Sequence, residues 1–92
     1  MSYKVEFTVK AKQQLENWHR SGKTKILKKI AVFLDELREH PTTGTGHVEQ
    51  LKGDYAGYWS RRLDKESRLV YRIEEDNIVV VVVSLMGHYG DK

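Results

Sequence analysis

Cysteine is absent from the 92 residues, which excludes a disulfide scaffold, a cysteine-ligated zinc or iron–sulfur site and a thiol nucleophile. The same absence suits a reducing compartment. Long apolar runs are missing too. The longest, Ile78 to Val83 with Leu85 and Met86 after Ser84, falls far short of the ~20 residues of a spanning helix, so no membrane segment is predicted. Met1 to Lys12 alternates charge with bulk and offers no signal-peptide core; together these features predict a cytoplasmic protein. No glycine-rich phosphate loop or serine-nucleophile motif occurs. His40 and His47 are separated by a loop while His19 and His88 stand alone, so neither a metal nor a cofactor is expected. Without repeats, low-complexity tracts or a linker, residues 1–92 are expected to form a single domain.

What the chain does have is a mild basic excess, net +3, unevenly spread. Residues 1–40 carry nine Lys or Arg against five acids, and residues 41–92 carry seven against eight. The later positive charge is concentrated in Arg61, Arg62, Arg68 and Arg72, whose planar guanidinium forks suit phosphate better than lysine does.

Hydrophobic periodicity orders the elements. Tyr3, Val5 and Phe7 alternate with polar residues, as in a half-buried strand. Ala11, Leu15 and Trp18 then follow helical spacing behind a Thr8 cap until Ser21-Gly22. Ile26, Leu27, Ile30, Phe33, Leu34 and Leu37 form the apolar stripe of a second helix ending at His40-Pro41. After the Pro41 to Gly46 loop the period becomes two, predicting strands near 48–52, 57–63, 68–74 and 78–85 joined by short turns as an antiparallel meander. The run Val79 to Val83 lacks polar alternation and reads as an interior strand covered on both faces. The expected fold is α+β, an N-terminal strand and helical hairpin packed on one face of a mostly antiparallel four- to five-stranded sheet.

The other face is where chemistry would sit. Glu49 and Lys52 belong to one strand, Ser60-Arg61-Arg62 to the next and Arg68 to the one after, with His88 beyond the last. A carboxylate, fixed cations and an imidazole are what metal-free RNA cleavage uses. A base takes the ribose 2′-OH proton, the oxygen attacks the adjacent phosphorus, cations hold the added charge and an acid protonates the departing 5′-oxygen. A carboxylate among cations is a weak base at neutral pH, so cationic stabilisation should contribute more than proton transfer. Ser60 and Arg62 share a face while Arg61 takes the opposite one, so Arg61 reads as a solvated or structural arginine. Tyr58 and Trp59 also face opposite ways; at least one belongs to the core, and base stacking is a reading open to the other. Lys23, Lys25, Lys28 and Lys29 form the wet face of a helix, with Glu74-Glu75-Asp76 a solvated turn.

Glu49-Gln50-Leu51-Lys52, Gly57-Tyr58-Trp59-Ser60-Arg61-Arg62, Arg68-Leu69-Val70-Tyr71 and His88-Tyr89 closely resemble the YoeB-type toxins of the RelE/ParE-like superfamily. The resemblance covers most of the chain and is most specific from Gly46 to Tyr71. It implies a ribosome-dependent mRNA endoribonuclease, the toxin half of a type II toxin–antitoxin pair, neutralised by a small, partly disordered antitoxin of the YefM/Phd-like kind. Ribosome and mRNA are the other implied partners, and dimerisation is a trait the family often shows. Residue by residue, the general base falls on Glu49, the general acid on His88 and the transition-state arginine on Arg68. Lys52 and Arg62 match phosphate-contacting cations, and Tyr89 the aromatic beside the catalytic histidine. The chain departs from the pattern where Val48 and Gln50 flank Glu49 in place of common prolines, and where Gly90, Asp91 and Lys92 follow the His-Tyr pair. The competing readings are a superfamily toxin that inhibits by binding alone, as the gyrase-directed branch does, and an RNA-binding module whose arginines only grip phosphate.

Overall fold

The computed structural model describes residues 2–86; His88 and Tyr89, assigned above from the resemblance, lie outside them. Its element order is β1 (Lys4–Phe7), α1 (Val9–Ser21), α2 (Thr24–Glu39), β2 (Glu49–Gln50), a 3₁₀ turn (Gly53–Tyr55), β3 (Tyr58–Arg62), β4 (Arg68–Glu74) and β5 (Val79–Ser84). The strands form one mixed sheet in the order β1-β5-β4-β3-β2, with both helices packed on one face.

Each helix follows from its punctuation. The Thr8 hydroxyl accepts from the Ala11 N–H at 3.1 Å, satisfying a donor that has no intrahelical partner, and Gly22 closes α1 in the left-handed conformation (φ 71°). Ala11 and Trp18 turn inward, and the Trp18 indole N–H donates to the Leu85 carbonyl at 2.8 Å, tying α1 to the end of β5. The α2 stripe buries Ile26, Ile30, Phe33 and Leu37 against Leu63, Leu69, Tyr71, Val80 and Val82. Across the sheet, alternation sends Trp59, Arg61, Leu69, Tyr71 and Ile73 toward the helices and Tyr58, Ser60, Arg62, Arg68, Val70 and Arg72 toward the open face.

Three differences from the sequence reading have physical causes. The sheet is mixed: β1 pairs parallel with β5, Val5 opposite Val80 and Phe7 opposite Val82. The valine strand therefore has a neighbour along each edge, and Val80, Val81 and Val82 are all buried. The strand expected over 48–52 shrinks to Glu49–Gln50, because Gly53 (φ 68°) starts a 3₁₀ turn that draws the chain away from β3 after one further bond, Leu51 N–H to Tyr58 C=O at 2.8 Å. Glu74 ends β4 where the predicted 68–74 strand ends, but it is not the freely solvated residue expected of Glu74-Glu75-Asp76: its carboxylate accepts from Arg72 at 2.7 Å.

Arg61 is structural and fully buried, not solvated. Its five N–H donors make five hydrogen bonds: to Glu36 Oε1 (2.5 Å), the carbonyls of His40 (3.3 Å), Thr43 (2.9 Å) and Thr45 (3.2 Å), and the Tyr71 hydroxyl (3.4 Å). The Tyr71 hydroxyl in turn donates to the Pro41 carbonyl, and the guanidinium lies over the Phe33 and Tyr71 rings. One side chain thereby fastens the 40–45 loop to the sheet. At the end of that loop the Gly46 carbonyl accepts the Arg62 N–H at 2.6 Å. A Cβ at Gly46 (φ 87°) would run into the Phe33 ring, so only glycine allows this close approach.

Candidate functional site

The loop fixed by Arg61 delivers β2 to the edge of the sheet in a defined register, Glu49 opposite Ser60 and Gln50 opposite Trp59. Glu49 consequently shares the open face with Ser60, and β4 adds Val70 opposite Ser60 and Arg68 opposite Arg62. Arg68 reaches back between these rows. Its Nη1 donates to Glu49 Oε1 at 3.2 Å and to Ser60 Oγ at 3.3 Å. Carboxylate, hydroxyl and guanidinium from three strands therefore meet around one point.

Burial differs among them in a useful way. The Glu49 side chain is 51% exposed and that of Arg68 21%, whereas Ser60 is buried. The hydroxyl thus lies buried under a partly sheltered cation, and the carboxylate is the solvent-facing member. Arg62 is exposed and has no ion-pair partner among the described residues. Like charges directly opposite on adjacent strands repel. Glu49 neutralises one member of the Arg62–Arg68 pair, and an anion bridging both would relieve the remainder.

Of the six residues singled out from sequence, the structure brings Glu49 and Arg68 into contact and sets Arg62 beside Arg68. Lys52 is exposed at the start of the 3₁₀ turn and makes no side-chain bond among the described residues. His88 and Tyr89 fall outside the described residues. Arg72 shares the face but is held by Glu74, whose pKa is lowered chiefly by that hydrogen bond and then by Asn77. Sequence reasoning recognised Ser60 only as sharing a face with Arg62. Its bond to Arg68 depends on cross-strand register, which periodicity does not supply. Among the described residues no three His, Asp or Glu side chains converge to hold a metal ion, and no helix is long and apolar enough to cross a membrane.

Behind the site, the Glu36 carboxyl responds to opposing influences. Desolvation acts to raise its pKa, but the Thr45 N–H and hydroxyl, with the charges of Arg61 and His40, outweigh it and hold the pKa below the ordinary 4.5. A folded-state pKa depressed in this way stabilises the protein fully above the unfolded value and progressively less as pH falls through the folded one. Urea unfolding of wild type and Glu36→Gln should therefore differ most near neutrality and converge as pH drops below 4.5. A constant difference across that range would show that Glu36 does not carry the acid sensitivity.

Comparison with known proteins identifies the family of the chain. Residues 7–89 match the YoeB-like toxin of bacterial type II toxin–antitoxin systems. Toxin YoeB of Streptomyces coelicolor is 37% identical over 78 residues, covering 85% of this chain and 92% of the relative. Among solved structures, a YoeB/ParE toxin from Agrobacterium tumefaciens superposes with a TM-score of 0.85 at 35% identity, covering 94% of this chain and 99% of that one. A chain of the heterotetrameric YoeB–YefM toxin–antitoxin complex from Staphylococcus aureus gives a TM-score of 0.78 at 28% identity, covering 97% and 100%.

Proposed function

Because the chain belongs to the YoeB-like toxin family of bacterial type II toxin–antitoxin systems, we propose that it cleaves mRNA on the ribosome, without a metal, by internal attack of a ribose 2′-OH. The observation that carries this reading is the contact of Arg68 with Glu49 and Ser60, beside Arg62, which has no ion-pair partner among the described residues. A single carboxylate among guanidinium groups repels a metal cation but attracts a phosphodiester.

The ion pair also suggests how substrate starts the reaction. In the free protein Glu49 and Arg68 occupy each other. A phosphate between Arg62 and Arg68 competes for the guanidinium, releasing Glu49 to accept the 2′-OH proton while Arg68 follows the charge that grows on the phosphoryl oxygens. Ser60 keeps the Arg68 fork in place as Glu49 lets go. Lys52 extends the cationic edge, and His88 is assigned the proton for the 5′-leaving oxygen, with Tyr89 beside it, on the family resemblance. A small protein with a shallow face gains from a body that presents the message in attack geometry, which is the physical case for ribosome dependence and a cytoplasmic location. By analogy with its relative in the YoeB–YefM complex, a YefM-like antitoxin is the proposed inhibitor, covering the cationic face.

Single-turnover cleavage of mRNA with ribosomes present and absent tests the proposal. Cleavage should require ribosomes, persist in chelator and slow about 10²-fold in Glu49→Gln, the low end of the general-base range. Binding of ribosomes without any new RNA end would leave inhibition by occupancy as the activity.

A further inference from the structure

We propose that Tyr58 is a nucleobase-stacking subsite, holding one base of the substrate strand about one nucleotide from the bond that is cut. This rests on the nuclease reading above and extends it to what the site recognises.

Register places Tyr58 on the open face. It lies two residues before Ser60 on β3, which puts it roughly 6.8 Å along the strand from the hydroxyl that supports Arg68. That stride is comparable to the reach of one nucleotide of extended single strand. The core does not use this ring: Trp59, on the opposite face, packs against the buried cluster, and Tyr58 is not part of it. Nor does the fold use its hydroxyl, which makes no hydrogen bond among the described residues. The ring is nonetheless braced. Tyr55, from the 3₁₀ turn, stands edge-on to it with centroids 6.5 Å apart and an interplanar angle of 82°. On the other side is Arg72, its cross-strand neighbour, whose guanidinium is anchored by Glu74 at 2.7 Å. A half-buried aromatic with a fixed edge partner, beside an oriented cation and one step from a phosphate site, suits a flat π surface. A base is such a surface, and stacking carries little sequence requirement because every base has a π face.

The arrangement separates two tasks on one sheet. The Arg62–Arg68 row binds charge and reacts; the Tyr58–Arg72 row sets how far along the strand the substrate sits. Loss of the aromatic ring should therefore weaken kcat/KM while leaving the reacting groups intact.

The test is single-turnover cleavage of mRNA on ribosomes by wild type, Tyr58→Phe and Tyr58→Leu. Substrates carry a normal or an abasic nucleotide at each position flanking the cut. Tyr58→Leu should lose roughly 5- to 150-fold in kcat/KM, the range for one stacked base, and Tyr58→Phe should stay near wild type. Wild type should lose a similar factor when one flanking base is removed, while Tyr58→Leu is indifferent to that removal. The abasic substrates probe unmodified protein, so this arm does not depend on a variant folding. Equal cleavage by wild type and Tyr58→Leu, or an equal abasic penalty in both, overturns the subsite while leaving the nuclease reading intact. Absence of cleavage by wild type overturns both.

Discussion

Arg68→Ala is expected to reduce mRNA cleavage about 10³-fold, the upper end of what removing one donor to a developing oxyanion costs. The reason lies in what Arg68 touches. Its guanidinium already sits 3.2 Å from the Glu49 carboxylate and 3.3 Å from the Ser60 hydroxyl, so it needs little reorganisation to meet a phosphoryl oxygen in the same place. Arg68→Lys should recover only part of the loss, since an ammonium on a flexible stem cannot bond Ser60 and two phosphoryl oxygens with a planar fork. Stability should fall only modestly, by about 1–3 kcal/mol, because the pair with half-exposed Glu49 contributes little and the loss comes from the buried Ser60 hydroxyl left without its partner. Measuring the melting temperature beside the single-turnover rate separates the two effects. A variant that stays folded at the assay temperature and cleaves at more than a tenth of the wild-type rate would remove Arg68 from the reaction.

The contrast with Glu49→Gln matters as much as either value. If proton transfer dominated, losing the carboxylate would hurt more than losing the guanidinium. The proposed site predicts the opposite order, because Glu49 is half exposed and water can substitute for it in part, whereas nothing replaces the Arg68 fork at the phosphoryl oxygens.

How much of this was legible in the sequence depends on the range of the interaction. Local patterns were fully readable: the Thr8 cap, the Gly22 stop, the α2 stripe and the span of β4 all follow from propensity and period. Period two also put Arg61 and Arg62 on opposite faces. It could not say that β1 would lie parallel to β5, since the pairing of strands 75 residues apart depends on which edge the helices leave free. Nor could it foresee that Arg61 would be buried. Arginine is rarely fully buried unless paired, and its five partners come from α2, the 40–45 loop and β4, brought together only by the finished fold. Half the candidate site was legible as residue types and faces. The Arg68–Glu49–Ser60 contact needed the register of two strand pairs, and Glu49 needed the loop that Arg61 fastens.

That dependence makes Arg61 the position where substitution should cost most stability. Arg61→Met removes the buried guanidinium paired with Glu36 and leaves three loop carbonyls and the Tyr71 hydroxyl short of a donor. Breaking a buried pair from one side typically costs about 3–5 kcal/mol. That is a large share of the roughly 5–15 kcal/mol that stabilises an ordinary domain. At about 4–8 °C per kcal/mol for a chain this size, the melting temperature should fall by about 12–40 °C. Arg61→Lys should fare little better, because three donors on a point charge cannot replace five in a fork. The Arg61→Met/Glu36→Met double variant should recover part of the loss, since it no longer strands a carboxylate against an apolar core. If thermal unfolding instead showed additive losses, the pair would be uncoupled, with the Arg61–carbonyl bonds and the Glu36 bonds to Thr45 holding the loop independently. Where Arg61→Met still folds at low temperature, cleavage should also drop although Arg62, Arg68 and Ser60 are untouched. The loop that carries Glu49 to the sheet edge would have lost the side chain that holds it.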